Sequence, residues 1–323
     1  MTWVGRSALR KEGDGKLRGL AKYIDDISFP DMLHGVTIRS SIARGILREI
    51  EYLPGVNWDD FVKVTANDIP GHNYVALLEK DQPYLVEKQI NHPEEPVLLL
   101  AHPDKQLLEK ARTLVKIHAD PLPAIFSMEE SAKQQSLIWG TNNTFKKYAI
   151  DRGDIRSAFE NAAVILEGTY ETGAQEQLYI EPNGVIAMAH KSEGVTVWGS
   201  MQCPYYVHKA LLPLFNLPAE KIRVIQTETG GGFGGKEEYP SMIAGHAALL
   251  AWKSGKPVKL IYDRMEDMVA TTKRHPSKTV IRTAFDHQNK LIAIDIDFTI
   301  DGGAYCTLRS EEHTSELQSL AYL

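Results

Sequence analysis

The stretch Gly230-Gly231-Gly232-Phe233-Gly234-Gly235-Lys236-Glu237 constrains this chain most, because five of its eight residues are glycine. Each glycine gives up more backbone freedom on folding than any other residue. Such a run makes sense where the main chain must come close to something or adopt positive φ. Ile222, Val224 and Ile225 before it predict a short strand. After it, Pro240 opens a helical pattern through Met242, Ile243, Ala247, Leu250 and Trp252, which Ser254-Gly255-Lys256-Pro257 stops. The glycines are therefore expected between a strand and a helix start, where free backbone N–H groups favour an anion.

Two nucleotide-binding patterns fit this loop on paper. Gly230, Gly235 and Lys236 have P-loop spacing, but the Ser or Thr that would hold magnesium is replaced by Glu237, whose charge would repel a triphosphate. Val258 to Asp263 could serve as a second nucleotide motif, yet apolar strands ending in Asp are common. Gly230, Gly232 and Gly235 also match the dinucleotide fingerprint. That fingerprint expects a βαβ unit, a poor match to the all-β pattern read upstream. The plain alternative is a glycine-rich turn that holds no ligand.

With 323 residues the chain is long enough for two domains and a sizeable core. A net charge of −6 argues against nucleic acid as the main partner. Cys203 and Cys306 are the two cysteines and build neither a disulfide framework nor a zinc site. They read as reduced thiols of a cytoplasmic protein. No apolar run is long enough to span a membrane.

Taken in order, Gly13-Asp14-Gly15 reads as a turn, and Leu33 to Arg39 and Val62 to Thr65 as strands. A βαβ pattern follows: an apolar strand Pro96 to Ala101, a helix capped by Asp104, and a strand from Val115. Residues 129–145 are polar and unpatterned and predict a linker between domains at 1–128 and 146–308. Beyond it come a short helix capped by Asp154, a strand from Val164 to Thr172 and a hairpin of Gly184 to Ala189 with Val195 to Ser200. A helix over Pro204 to Phe215 precedes the glycine loop. The last hairpin pairs Thr279 to Phe285 with Leu291 to Ile300. The alternation of Ile292, Ile294, Ile296 and Phe298 with Ala293, Asp295, Asp297 and Thr299 predicts one buried face and one wet face.

Gly173-Ala174-Gln175-Glu176-Gln177-Leu178-Tyr179-Ile180-Glu181-Pro182 resembles the Gln-Glu-His stretch, ending in Glu-Pro, of the xanthine dehydrogenase and aldehyde oxidase family of molybdenum hydroxylases. Gly231 to Glu237 resembles that family's Gly-Gly-Phe-Gly-Gly-Lys-Glu loop. The likeness is to the large, molybdopterin-binding subunit and runs from about Val4 to Leu308. Gly15 to Ile27 and Val97 to Pro123 are similar to its N-terminal domain. Gln177 departs from the pattern, since the family often has His there.

The resemblance implies a mixed α+β chain. An N-terminal α/β hammerhead-type domain is followed by the first part of a molybdopterin-binding domain. It implies a molybdenum–molybdopterin cofactor, with or without an appended nucleotide. The metal would be held by the pterin dithiolene, so no side-chain metal ligand is expected. Gly231, Gly232, Phe233 and Gly234 would cradle this group, the N–H groups of Gly232 and Phe233 approaching it most closely. Gln175 would donate an amide hydrogen bond to a molybdenum oxygen. Glu237 would orient substrate, with Glu238 as its competitor at the helix start and Lys236 structural or paired to a phosphate or carboxylate. The family's general base lies beyond these residues. The implied reaction is hydroxylation of a C–H carbon of a purine, another N-heterocycle or an aldehyde, with oxygen from water. Electrons would leave for 2Fe-2S and FAD groups on partner subunits, in a dimer of heterotrimers. A P-loop-like nucleotide-binding protein and an inert scaffold are the competing readings.

After Leu308 the text changes. Arg309 to Ser319 matches a short-read sequencing adapter translated in one frame over eleven consecutive residues. Residues 309–323 are therefore expected to be foreign to the fold.

Overall fold

The computed structural model describes residues 4–77 and 79–306. The expectation of a foreign tail at 309–323 lies outside them. In chain order the strands are β1 (Leu33–Arg39), β2 (Gly45–Tyr52), β3 (Val62–Val64), β4 (Gln89–Ile90), β5 (Pro96–His102), β6 (Val115–Pro121), β7 (Val164–Thr172), β8 (Gly184–His190), β9 (Gly194–Gly199), β10 (Ile222–Gln226), β11 (Val258–Ile261), β12 (Ser277–Phe285) and β13 (Leu291–Ile300). The helices are α1 (Gly13–Leu17), α2 (Lys105–Thr113), α3 (Met128–Ala132), α4 (Ile155–Glu160), α5 (Pro204–Phe215), α6 (Pro240–Ser254) and α7 (Arg264–Ala270). The fold is mixed α and β, as expected.

One large sheet of seven strands has the order β10-β9-β8-β11-β1-β5-β3. It takes strands from both sides of the linker predicted at 129–145. Its centre is the parallel contact of β1 with β11, Leu33 opposite Val258. Two smaller sheets of three strands, β4-β2-β6 and β13-β12-β7, flank it. Residues 129–145 carry the end of α3 and are tied down: Arg44 donates to the carbonyls of Pro123 and Leu137, and Trp139 Nε1 donates to Asp81 at 2.9 Å.

Helix α6 explains why the large sheet is stable. Every residue from Pro240 to Ala251 is buried, so the helix is covered around its whole circumference and is sandwiched rather than laid on a surface. It packs against β8, β11 and α5, and Ile243, Ala247 and Leu250 join the main core with Leu99, Val185 and Leu214. Asp104 caps α2 by accepting from the N–H groups of Gln106 and Leu107 at 2.8 and 3.0 Å, as its position predicts.

Four expectations are corrected. Gly13 to Gly15 open α1 and do not form an isolated turn. The strand–helix–strand pattern at 96–121 is not a parallel βαβ unit. β5 runs antiparallel between β1 and β3, while β6 pairs with β2 in another sheet. A parallel crossover does exist, but between β9 and β10 through α5, so the region before the glycine loop is not all β. The apolar face of β13 is not buried among the described residues: Ile296 is 49% and Phe298 50% exposed.

Candidate functional site

The glycine loop leaves the end of β10, an edge strand of the large sheet, and delivers the chain to α6. Its conformation needs glycine in two separate ways. Gly231 and Gly234 have φ of +99° and +88°, the region that side chains disfavour. Phe233 also has positive φ, +51°, and its ring is exposed. Gly232 has no such φ. It is glycine for want of room, since a Cβ there would lie 2.4 Å from Gln202 Oε1.

The segment 177–183 and the glycine loop, far apart in sequence, meet in space. The Glu181 Oε2 atom accepts from Gly230 N at 2.7 Å, from Lys236 Nζ at 3.0 Å and from Ser200 Oγ at 2.5 Å. Lys236 is fully buried, with its ammonium 4.7 Å from the centre of the Tyr179 ring. Burial pushes its pKa down, and the Glu181 carboxylate works against that shift. Of the roles expected for Lys236, the structure selects the carboxylate partner. An ammonium committed to Glu181 does not project into the loop, which removes the feature a P-loop lysine needs.

Tyr179 is the floor under the loop. A Cβ on Gly231 would stand 3.1 Å from its Cβ, and one on Gly235 would stand 2.6 Å from its ring. Its hydroxyl donates to Asp267 Oδ1 at 2.6 Å, and Asp267 Oδ2 accepts from Asn183 N at 2.6 Å. Arg264 Nη2 donates to the carbonyls of Tyr179 and Ile180 at 2.7 Å each. Gln177 also lies beside Gly235, and its Oε1 is buried without a hydrogen-bond partner among the described residues.

Gln175 stands apart from this assembly. Its backbone forms an isolated bridge with Arg274, and its exposed side chain makes no hydrogen bond among the described residues. The amide held against the loop is Gln202. Its Oε1 accepts from Gly234 N at 3.0 Å and Lys236 N at 3.2 Å, while Gln202 N donates to Lys236 O at 2.7 Å. With the carbonyl end occupied, the NH₂ end of Gln202 is left with no partner among the described residues. Sequence reasoning missed Gln202. The signal available was its place between the Pro204 that starts α5 and the end of β9, the strand neighbouring the one that feeds the loop.

Glu237 is half-buried at the loop exit. It faces Cys203, whose thiol is pushed up in pKa first by burial and then by the Glu237 charge. Among the described residues the N–H groups of Gly231, Gly232 and Phe233 donate to no protein acceptor, although Gly232 is buried. No group of three or more His, Cys, Asp or Glu side chains suited to a metal occurs among the described residues. A shallow groove of about 430 Å³, lined in part by Leu33, Val62, His102 and Lys256, shares no residue with the loop.

Residues 139–320 match the molybdopterin cofactor-binding domain, and residues 18–123 match the aldehyde oxidase and xanthine dehydrogenase a/b hammerhead domain. The chain is 33% identical over 308 residues to a probable xanthine dehydrogenase subunit of Bacillus subtilis, covering 94% of this chain but 40% of that protein. It is 30% identical to the nicotinate dehydrogenase large molybdopterin subunit of Eubacterium barkeri, covering 94% of this chain and 72% of that protein. The crystal structure of quinoline 2-oxidoreductase from Pseudomonas putida 86 superposes with a TM-score of 0.79 at 25% identity, over 94% of this chain and 40% of that one. The chain therefore belongs to the molybdopterin-binding family of xanthine dehydrogenases and aldehyde oxidases.

Proposed function

We propose that this chain builds one wall of the cofactor and substrate cleft of a molybdenum hydroxylase. The observation that carries the reading is the unpaired N–H of buried Gly232, next to the unpaired N–H of Phe233, in a loop that glycine alone can form. A buried donor without an acceptor costs about 1–3 kcal/mol. An anionic, oxygen-rich group at the loop would offset that cost. The residues therefore fit a molybdopterin cofactor: Gly231, Gly232 and Phe233 supply main-chain donors, and Gly234, where a Cβ would meet nothing within 4 Å, supplies clearance.

When bound, such a cofactor supplies two-electron oxidation of a C–H carbon with water as the oxygen source. The protein's part is to bind, orient and exclude. The carbonyl of Gln202 is fixed at the loop and its NH₂ is left to donate, which suits it better than Gln175 to reach a cofactor oxygen. Glu237 offers a carboxylate to ring N–H or hydroxyl groups of a substrate. This favours N-heterocycles, in line with the xanthine, nicotinate and quinoline named for the related proteins. Exposed Phe233 adds an apolar surface beside it. Partner subunits carrying 2Fe-2S and FAD groups, a dimer of heterotrimers and a cytoplasmic location belong to the same proposal.

Alanine replacements separate the two glutamines. In the full-length subunit, Gln202→Ala is expected to lower kcat by roughly 10- to 100-fold, while Gln175→Ala leaves it within about twofold. The opposite ranking would return the amide role to Gln175.

A further inference from the structure

The loop is held by residues close to it, but what holds those residues lies in the N-terminal part of the chain. Arg39, on β1, is an almost fully buried guanidinium. Its Nε donates to Glu266 Oε1 at 3.0 Å, Nη1 to the Glu94 carbonyl at 3.1 Å, and Nη2 to the Tyr262 hydroxyl at 2.7 Å. The Tyr239 hydroxyl completes the set at 3.5 Å, and Arg112 stands 4.0 Å from the other Glu266 oxygen. The Arg39 and Glu266 side chains are 4% and 6% exposed. Ion pairs this deeply buried seldom stabilise more than an apolar pair of the same shape would, because desolvation offsets the attraction. What such a pair can supply is fixed geometry, since a buried charge must keep its partners in place.

The geometry it fixes leads to the glycine loop by two routes. Glu266 and Asp267 are neighbours on α7, so their side chains leave the helix about 100° apart. Glu266 faces Arg39, and Asp267 faces Tyr179 and Asn183. Helix α7 is anchored at its start by Asp263, which accepts from Glu266 N at 2.7 Å. A shift of Glu266 must therefore move Asp267, then the Tyr179 ring beneath Gly231 and Gly235. The second route is Tyr239, the residue immediately before α6 and two positions after Glu237. We propose that Arg39 is a positioning residue, which sets the glycine loop and Glu237 from the N-terminal unit through α7 and Tyr239. The loop's importance for catalysis rests on the function proposed above; the coupling itself does not.

The test reads hydrogen exchange by mass spectrometry in the full-length protein. The informative amides are Gly230, Gly234, Gly235 and Lys236, whose N–H groups are bonded in the loop. Arg39→Met is expected to speed their exchange by about tenfold while β8 and β9 stay within about twofold. Arg39→Met leaves Glu266 buried and unpaired, which threatens the fold, so Arg39→Met/Glu266→Gln is made beside it to remove that charge. The double variant should recover the melting temperature yet keep fast loop exchange, and Arg39→Lys should lie between it and wild type. Loop exchange that returns to wild type together with the melting temperature would overturn the proposal. So would a rise spread evenly over the chain. Fast loop exchange with unchanged molybdenum content and turnover would uphold the coupling and overturn the cofactor reading.

Discussion

The large sheet and the β7-β12-β13 sheet are both written in apolar β residues, yet they end in opposite environments. In the large sheet, β5 and β8 are buried over almost their whole length, because α6 and α5 cover one part of it and α2 another. In the small sheet, Ile294, Ile296 and Phe298 remain about half exposed, at 47%, 49% and 50%. The opposite face of that sheet is the better furnished one. Arg282 pairs there with Glu167 and Asp295 and lies 4.7 Å from the Phe159 ring centre of α4. Alternation thus tells which residues share a face, and tells nothing about whether an element exists to cover it. The glycine loop hangs from the covered sheet, where a loop can be held in a costly conformation. An exposed sheet offers no such support.

Substitutions can break this contrast. Ile243→Ala, in the buried face of α6, should cost about 2–5 kcal/mol, whereas Ile296→Ala on the exposed face of β13 should cost less than about 1 kcal/mol. Urea denaturation of both variants checks it, and equal losses would mean that the β13 face is covered. Glu237→Gln comes next in size. It keeps the shape of the side chain and removes its charge, so if the proposed site is right, turnover of an N-heterocyclic substrate should fall by on the order of 10²-fold, or about 2.7 kcal/mol. Unchanged kinetics with every heterocycle tried would take Glu237 out of the site.

An effect smaller per pH unit reports on the covered sheet through acid. His246 on α6 is fully buried, its ring bonded to the Tyr84 carbonyl at 2.9 Å and Thr37 Oγ1 at 3.3 Å. Burial holds its pKa down to about 3, against an ordinary 6.5. Between those values the unfolded chain binds a proton that the folded chain refuses. The stability is therefore complete above pH 6.5 and is lost as pH falls toward 3, by up to about 1.4 kcal/mol per pH unit. Urea titrations between about pH 7.5 and 4.5 should show this slope, and His246→Gln should flatten it. An identical slope in the variant would assign the acid sensitivity elsewhere.

Much of the fold was legible in the sequence because it is local. The glycine run, the strand before it, the proline-started helices α5 and α6 and the Asp104 cap each depend on neighbours a few residues away. What was not legible depends on pairing across the chain. Nothing in Pro96 to Pro121 says that its two strands enter different sheets. The place of Gln202 after β9 is the one hint of it, and does not say that it receives Gly234 and Lys236, because those partners reach it only when β9 and β10 lie side by side. Arg39 was invisible for the same reason, its partners Glu266, Tyr262 and Tyr239 all coming from the other end of the chain.

If the loop from Gly230 to Glu237 cradles molybdopterin, Gly232→Val tests it most directly. A valine methyl at that position must displace Gln202 Oε1, which a bare Cβ would already approach to 2.4 Å. The expected product is a full-length subunit with a normal circular dichroism spectrum and almost no molybdenum or pterin by elemental and fluorescence analysis. A folded Gly232→Val protein that retains a full complement of molybdenum would contradict the cradle.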